Sequence, residues 1–327
     1  MTDALFPDVR GLHTIPTPTP FPVGPANLYL YESDALYLID TGTNTPEAWE
    51  AFLVGMKKLG RDPRDIEKII LTHHHLDHIG LSRKIKDLSG AVIYANPVVL
   101  QQIPLFFQEE FTRANLGEVL FELGVPAGLN ARLCDERHNF RRYLDDFTVD
   151  ELLEDGGFAG PFRAFFRLGH SVSDTVLVHD KEKWAFTGDH LIHKITSNPL
   201  LRRKNEAGER EKSLIQYRES LLKTKELPIT WCFAGHNTPF TDHAKNIERT
   251  LEHLESRSRK ILALFNGGSA TPFELTQRLF PHLSDAYLYY CLSATTGHLE
   301  LLEAQGRTVH DRRGGILRYY AGGLPEK

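Results

Sequence analysis

Cysteine and methionine are scarce in this 327-residue chain, which has 3 Cys and 2 Met. Cys134, Cys232 and Cys291 lie far apart, are odd in number and form no CxxC pair. That excludes a disulfide scaffold and a thiolate zinc cluster, and it favours a reducing compartment, so a cytoplasmic location is expected. A basic excess is also missing: 38 Lys+Arg face 43 Asp+Glu, a net charge of −5. Dedicated nucleic-acid binders usually carry the opposite balance, so nucleic acid is not the expected partner. No stretch reaches the roughly 18 consecutive apolar residues of a membrane span, so no membrane partner is expected. The opening MTDALFPDVRGLHTIP has no charged start followed by an apolar run, so no signal peptide is expected. Internal repeats and low-complexity segments are absent too.

What remains is a chain with 41% hydrophobic residues, enough for a sizeable core. At roughly 100–200 residues per domain, the length suggests two domains, or one large domain with an appendage. Short strands and helices alternate, which predicts an α/β fold. Leu28–Glu32 and Ala35–Asp40 read as a hairpin, Thr45–Leu59 as a helix, and Lys68–Leu71 and Ala91–Tyr94 as buried strands. A mostly helical stretch runs from Pro97 to about Tyr143. Phe162–Leu168, the hairpin Thr175–His179 with Trp184–Phe186, and Ile229–Phe233 complete the strands. Arg202–Lys212 mixes charges and reads as an exposed, solvated loop or helix start.

Histidine is the abundant residue, at 16 copies. Four potential metal ligands fall within six residues in His73-x-His75-x-Asp77-His78. Imidazole and carboxylate suit zinc and neighbouring divalent ions. On an extended segment His73 and His75 project the same way and can grip one ion. Asp77 and His78 follow where the chain turns into a helix, displaced enough to serve a second. Four ligands on one loop leave two ions under-coordinated, so others must come from elsewhere. Three apolar strands end in a glycine followed by a polar residue: Gly169-His170, Gly188-Asp189-His190 and Gly235-His236. Taken singly, such histidines are usually packing residues, and His74, His179, His190, His193 and His243 are left without a metal role.

In the order HxHxDH … GH … GD … GH, together with Leu38-Ile39-Asp40-Thr41-Gly42, the chain resembles metallo-β-lactamase-fold hydrolases from about Phe21 to Leu264, in particular the hydroxyacylglutathione hydrolase-like branch. The resemblance implies an αββα sandwich with a dinuclear centre between two sheets. It implies that one ion takes His73, His75 and His170, and the other Asp77, His78 and His236, with Asp189 bridging. The ions are expected to be two divalent metals, zinc first, with Mn or Fe as alternatives. Hydroxide generated on the metals is the expected nucleophile, and Asp77 and Asp189 are the catalytic carboxylates. Asp40 and Thr72, beside the ligand loops, are candidates for fixing imidazole tautomers; for Asp40 a turn-forming role before Gly42 is the alternative.

An acidic bridging residue makes β-lactam hydrolysis a poor guess. The basic glutathione-binding tail of hydroxyacylglutathione hydrolases is not recognisable either. The expected substrate is therefore a small acyl ester, thioester or lactone. A metal-dependent endoribonuclease or phosphodiesterase is the alternative, and a mononuclear iron persulfide dioxygenase-like enzyme a further one. Residues 1–265 are read as the catalytic domain, with a helical insert at about 97–143 expected to overhang the metal groove. Phe106, Phe107 and Phe111, with Leu105, are candidates for an apolar acyl pocket. Arg113, Arg141 and Arg142 are candidates for meeting a substrate anion.

Residues 266–327 resemble a small winged-helix-like domain. In it Asn266–Ala270 reads as a linker, Thr271-Pro272-Phe273-Glu274 as a capping box, and Asp311–Gly315 as a hairpin tip. The stretch 271–327 holds six basic and six acidic residues and is formally neutral. Arg312 and Arg313 on the hairpin are its only hint of phosphate binding. Packing a homodimer or closing the groove is the preferred role for this tail.

Overall fold

Strand sequences here alternate two kinds of apolar residue. In β2 (Ala26–Glu32) and β3 (Leu36–Ile39), Leu28, Leu30 and Leu38 point one way while Tyr29, Tyr31, Tyr37 and Ile39 point the other, and all are buried. A strand buried on both faces must be covered on both. In the computed structural model, which describes residues 9–205 and 207–322 (only the backbone of 109, 111 and 112), this is achieved by two stacked six-stranded sheets with helices outside them.

The first sheet has the order β1 (Leu12–Thr17), β2, β3, β4 (Lys68–Ile70), β5 (Val92–Ala95), β6 (Glu151–Leu152). It is antiparallel up to β3 and parallel beyond. The second runs β12 (Phe240–Thr241), β11 (Trp231–Ala234), β10 (Trp184–Gly188), β9 (Thr175–His179), β8 (Phe162–Phe166), β7 (Phe158–Ala159). Between the sheets lies an aromatic layer in which Tyr31, Phe162, Trp184 and Phe186 pack edge to face. The outer face of the first sheet is covered by α1 (Pro46–Lys58), α3 (Ser82–Ser89) and α4 (Pro97–Phe107). The outer face of the second is covered by α7 (Ser213–Lys225) and α8 (His243–Ala263). The result is the expected αββα sandwich, and the short α2 (Leu76–Ile79) carries part of the histidine motif at its edge.

The insert is helical as expected: α4, α5 (Glu109–Glu122) and α6 (Ala127–Asn139), ending in a 3-10 turn. Its Val119, Leu120 and Leu133 share one hydrophobic cluster with α9 (Pro272–Leu279), α10 (Asp285–Ala304) and the hairpin β14 (Thr308–Arg313)–β15 (Ile316–Ala321). The capping box at Thr271 and Glu274 forms as predicted. Asn266–Ala270 is not a free linker: Ser269–Ala270 is a strand, β13, paired with β15, and Ala270 is fully buried.

Arg202–Lys212 is a largely exposed loop leading into α7, as expected, but some of its cations are not solvated. Arg202 is buried, Lys204 lies between Glu118 and Glu122 of α5 at 2.6 and 2.7 Å, and Arg210 is ion-paired with Glu300 of α10. Mixed charge makes such a run look solvated, but Lys204 and Arg210 meet their complements on neighbouring helices. Among the described residues no helix is long and apolar enough to cross a membrane.

The strand ends are tightly built. Gly169, just before His170, has φ +147°, and a Cβ placed there would lie 2.3 Å from the Tyr217 Cα on α7. Because the obstacle is backbone, relaxation is costly. Gly169→Ala is expected to lower stability by about 1–3 kcal/mol in urea unfolding, through overpacking and backbone strain together.

Candidate metal centre

The motif loop leaves β4 at Leu71, and the other candidate donors follow β8, β10 and β11. The ends of all four strands converge because the sheets approach each other there. Thr175 N donates to Thr72 O at 2.9 Å and Asn27 N to Gly235 O at 2.7 Å, both across the sandwich. Such closeness excludes a side chain at Gly235, whose Cβ would meet Asp189 Oδ1 at 2.5 Å and His78 Cε1 at 2.7 Å.

The seven residues singled out in the sequence come together. Three clusters have donor atoms mutually within 4.8 Å: His73/His75/His170, Asp77/His78/His236 and His73/His78/Asp189. The first two correspond to the two ligand sets implied by the resemblance. Asp189 touches both: its Oδ2 is 3.5 Å from His170 Nε2 and from His236 Nε2, and its Oδ1 is 3.5 Å from His78 Nε2. Asp77 Oδ2 is 3.4 Å from His236 Nε2.

Hydrogen bonds on the far side of each ring orient the donors. His236 Nδ1 faces the Pro25 carbonyl at 2.8 Å, and a carbonyl can only accept, so Nδ1 carries the proton. His78 Nδ1 likewise donates to Asp40 Oδ2 at 2.8 Å. Thr72 Oγ1 gives its single hydrogen to Asp40 Oδ2 at 2.8 Å, so it accepts from His73 Nδ1 at 3.0 Å. In all three rings Nε2 is therefore the atom that points into the cluster. Nε2 of His73, His78 and His236 and Oδ1 of Asp189 are buried with no hydrogen-bond partner among the described residues. Buried polar atoms are normally satisfied. A convergent set of unpartnered imidazole and carboxylate atoms fits a cation, and the residues present fit a divalent metal.

Asp40 is thus more than a turn residue. It adopts φ +59° and accepts from Thr72 N, Thr72 Oγ1 and His78 Nδ1. The histidines left without a metal role are hydrogen-bonded elsewhere: His74 to Ser173, His179 to Tyr31, His190 to Thr224, His193 to Thr238 and His243 to the Lys225 carbonyl.

A cleft of about 890 Å³ opens beside the cluster, bordered by His75, Asp77, His170 and Asp189. Leu105 and Phe106 of the insert line it. Phe107 does not and is 40% exposed. The side chain of Phe111 lies outside the described residues. Arg113 pairs with Asp135 and Arg142 bonds the Tyr143 hydroxyl; neither these nor Arg141 line the cleft. The arginines that do are Arg137, Arg202 and Arg203, none of them singled out in the sequence, and Tyr289 and Tyr290 of α10 join them.

Burial first, and then neighbouring imidazole charge, holds His73 and His75 well below the ordinary histidine range, so they are neutral donors. Burial also opposes protonation of His78, but Asp189, Asp40 and Asp77 outweigh it and raise its pKa to about 9. His236 is raised too, with burial overcome by Asp189 and Asp77.

Comparison with known proteins agrees with this geometry. The model of the Metallo-beta-lactamase superfamily matches residues 21–236, more than half of the chain. A Bacillus subtilis (strain 168) protein named "Probable metallo-hydrolase YqjP" is 33% identical over 298 residues, covering 89% of this chain and 92% of that one. The crystal structure of the metallo-beta-lactamase family protein TTHA1429 from Thermus thermophilus superposes with a TM-score of 0.82 at 26% identity, over 95% of this chain and 98% of that one. A Beta-lactamase domain protein from Burkholderia ambifaria superposes with a TM-score of 0.79 at 18% identity, over 97% of this chain and 94% of that one, which shows the shared fold. Sandwich and donor cluster together define a metal-dependent hydrolase. The chain belongs to the metallo-beta-lactamase superfamily.

Two outcomes follow from the hydrogen bonds and charges. In metal-free protein at pH 7, His78 and His236 hold protons that a metal must displace. Zinc addition is expected to release protons, measured by calorimetry in buffers of differing ionisation enthalpy, and the release should fade as pH rises through about 9. Asp40→Asn is expected to weaken metal affinity by ~10–100-fold in competition with a chelator, because the tautomer of His78 loses its anchor.

Proposed function

We propose that the protein is a dinuclear hydrolase of small acyl esters, thioesters or lactones. The observation that carries this reading is the pair of donor triads joined by one carboxylate, Asp189, at the edge of a cleft. His73, His75 and His170 would hold one divalent ion and Asp77, His78 and His236 the other, zinc being the first candidate. When bound, such ions lower the pKa of water to about 7 and polarise an acyl oxygen.

The protein's own residues supply the rest. Asp40, Thr72 and the Pro25 carbonyl keep three imidazoles in the donor tautomer. Asp77 and Asp189 border the cleft, where a carboxylate oxygen can take the proton released from the attacking water. Their two negative charges would leave two divalent ions, which bring four positive charges, with a net positive charge that suits an oxyanion developing at the acyl carbon. Leu105 and Phe106 offer the acyl chain an apolar wall. We further propose residues 266–327 as a winged-helix-like domain that closes this cleft through Tyr289 and Tyr290 on α10. The endoribonuclease alternative is disfavoured by its hairpin arginines: Arg312 pairs with Glu122, and Arg313 with Asp311 and the Tyr320 hydroxyl.

The purified protein is expected to carry about two divalent ions per chain by elemental analysis and to hydrolyse thioester or lactone substrates. His75→Ala and Asp189→Ala are each expected to lower kcat by at least ~100-fold while circular dichroism stays that of the folded protein. A single iron per chain with oxygen consumption would overturn the reading in favour of oxidative chemistry.

A further inference from the structure

Arg137 and Arg202 border the cleft without an ion pair among the described residues, although Glu209 and Glu211 border it too. Arg202 is only 9% exposed, yet its guanidinium has a single hydrogen bond, Nη2 to the Gly169 carbonyl at 3.0 Å, among the described residues. Its Nε is buried with no hydrogen-bond partner, and among the described residues it makes no ion pair. Asp174 and Glu211 reach it only as longer-range charges. Arg137, half-buried on α6, lies over the Tyr289 ring at 4.6 Å and near the Phe140 ring at 5.3 Å, and likewise makes no ion pair among the described residues. Arg203 borders the same cleft, close enough that the charge of Arg137 adds to burial in lowering its pKa. All three act on His74, the neighbour of the candidate ligand His75.

The surrounding chain shows that the fold can neutralise such charges. Lys204, two positions beyond Arg202, has two glutamates, and Arg210 has Glu300. Burying a charge without a partner is expensive, and gathering like charges adds to the cost. Among the described residues no carboxylate pairs with Arg137 or Arg202, so a complement can reach them from solution through the cleft that both border.

We propose that Arg137 and Arg202, with Arg203 beside them, form a subsite for an anionic group of the substrate, in the same cleft as the donor cluster. Guanidinium forks match carboxylate and phosphate oxygens two bonds at a time, so the shared chemistry is a planar or tetrahedral oxyanion. At about 890 Å³ the cleft has room for an acyl chain along Leu105 and Phe106 as well as an anionic head. The anion can belong to the leaving group, as a phosphate, or to the acyl part, as a second carboxylate. The proposal rests on the hydrolase reading of the cleft, and its test separates the two.

The test uses the metal-loaded full-length protein and three thioesters: butanoyl-N-acetylcysteamine (neutral), butanoyl-coenzyme A (phosphate on the leaving group) and glutaryl-N-acetylcysteamine (carboxylate on the acyl part). Calorimetric binding of free coenzyme A and of glutarate is measured in parallel. One of the two anionic thioesters is expected to exceed the neutral one in kcat/KM by at least ~10-fold, mainly through KM, and this identifies the source of the anion. Arg137→Gln is expected to remove most of that preference while changing the neutral substrate less than ~2-fold, with Arg137→Lys intermediate. Arg202→Gln should act in the same direction; because Arg202 also ties down the Gly169 carbonyl, the exposed edge of Arg137 carries the test if that variant does not fold. Equal losses on neutral and anionic thioesters, or unchanged binding of both anions in Arg137→Gln, would overturn the subsite. If no thioester is turned over but anion binding still falls at least ~10-fold in Arg137→Gln, the hydrolase reading fails and the subsite stands. Cleavage of an RNA oligonucleotide that Arg137→Gln abolishes would overturn the small-molecule assignment.

Discussion

Main-chain hydrogen bonds draw the two sheets together at the ends of their central strands, and the donor cluster depends on that approach. Thr72 accepts from Thr175, and Gly235 accepts from Asn27, each across the sandwich. At this separation the space beside Gly235 belongs to Asp189 and His78, which arrive from different sheets. Glycine before His236 is a packing requirement of the cluster as much as a turn signal. The same holds before His170, where α7 presses its backbone against Gly169.

Bringing carboxylates and imidazoles into one buried volume costs solvation, and the structure offsets it by charge complementarity and by hydrogen bonds on the outer edges of the rings. Asp40 is the clearest case. Its left-handed backbone is tolerable for aspartate, at roughly 1–3 kcal/mol of strain. Against that stand three accepted hydrogen bonds to an anionic group, each worth about 1.5–3 kcal/mol. The bonds outweigh the strain, and they also decide which nitrogen of His78 and, through Thr72, of His73 faces inward.

The donor residues were legible in the sequence because their signal is local: four ligands on one short loop, and glycine-polar pairs directly after apolar strands. Their orienting partners were only half legible. Asp40 and Thr72 sit beside ligand loops and could be named, whereas the Pro25 carbonyl has no side-chain signature and is found only once β2 pairs near Gly235. Helix α7 buries Leu214, Tyr217, Leu221 and Thr224 at helical spacing, but it has no side-chain N-cap to announce it and follows a charged run. The arginines were hidden for the same reason. Arg202 and Arg203 lie in RRKNEAGEREK, whose mixed charge suggests solvent, and only the tertiary fold separates neutralised Lys204 and Arg210 from cleft-facing Arg202. Phe107 stays exposed because the apolar content of α4 exceeds what its buried face can hold.

Every candidate donor stands on the sandwich, while much of the cleft lining comes from the insert, the segment around Arg202 and α10. Those three are fastened to one another. The Tyr289 hydroxyl donates to the Leu201 carbonyl, Asn198 donates to the Tyr290 carbonyl, and Glu122 of α5 receives both Lys204 and Arg312. Burial resists ionisation of Glu122, but those two cations hold its pKa below the usual range, so it works as a charged joint. One hydrophobic cluster runs through α5, α6, α8, α9, α10 and β15 beneath that joint. Through Glu122 the C-terminal hairpin is tied to the segment that carries Arg202, and Arg202 is in turn tied to the Gly169 carbonyl beside His170.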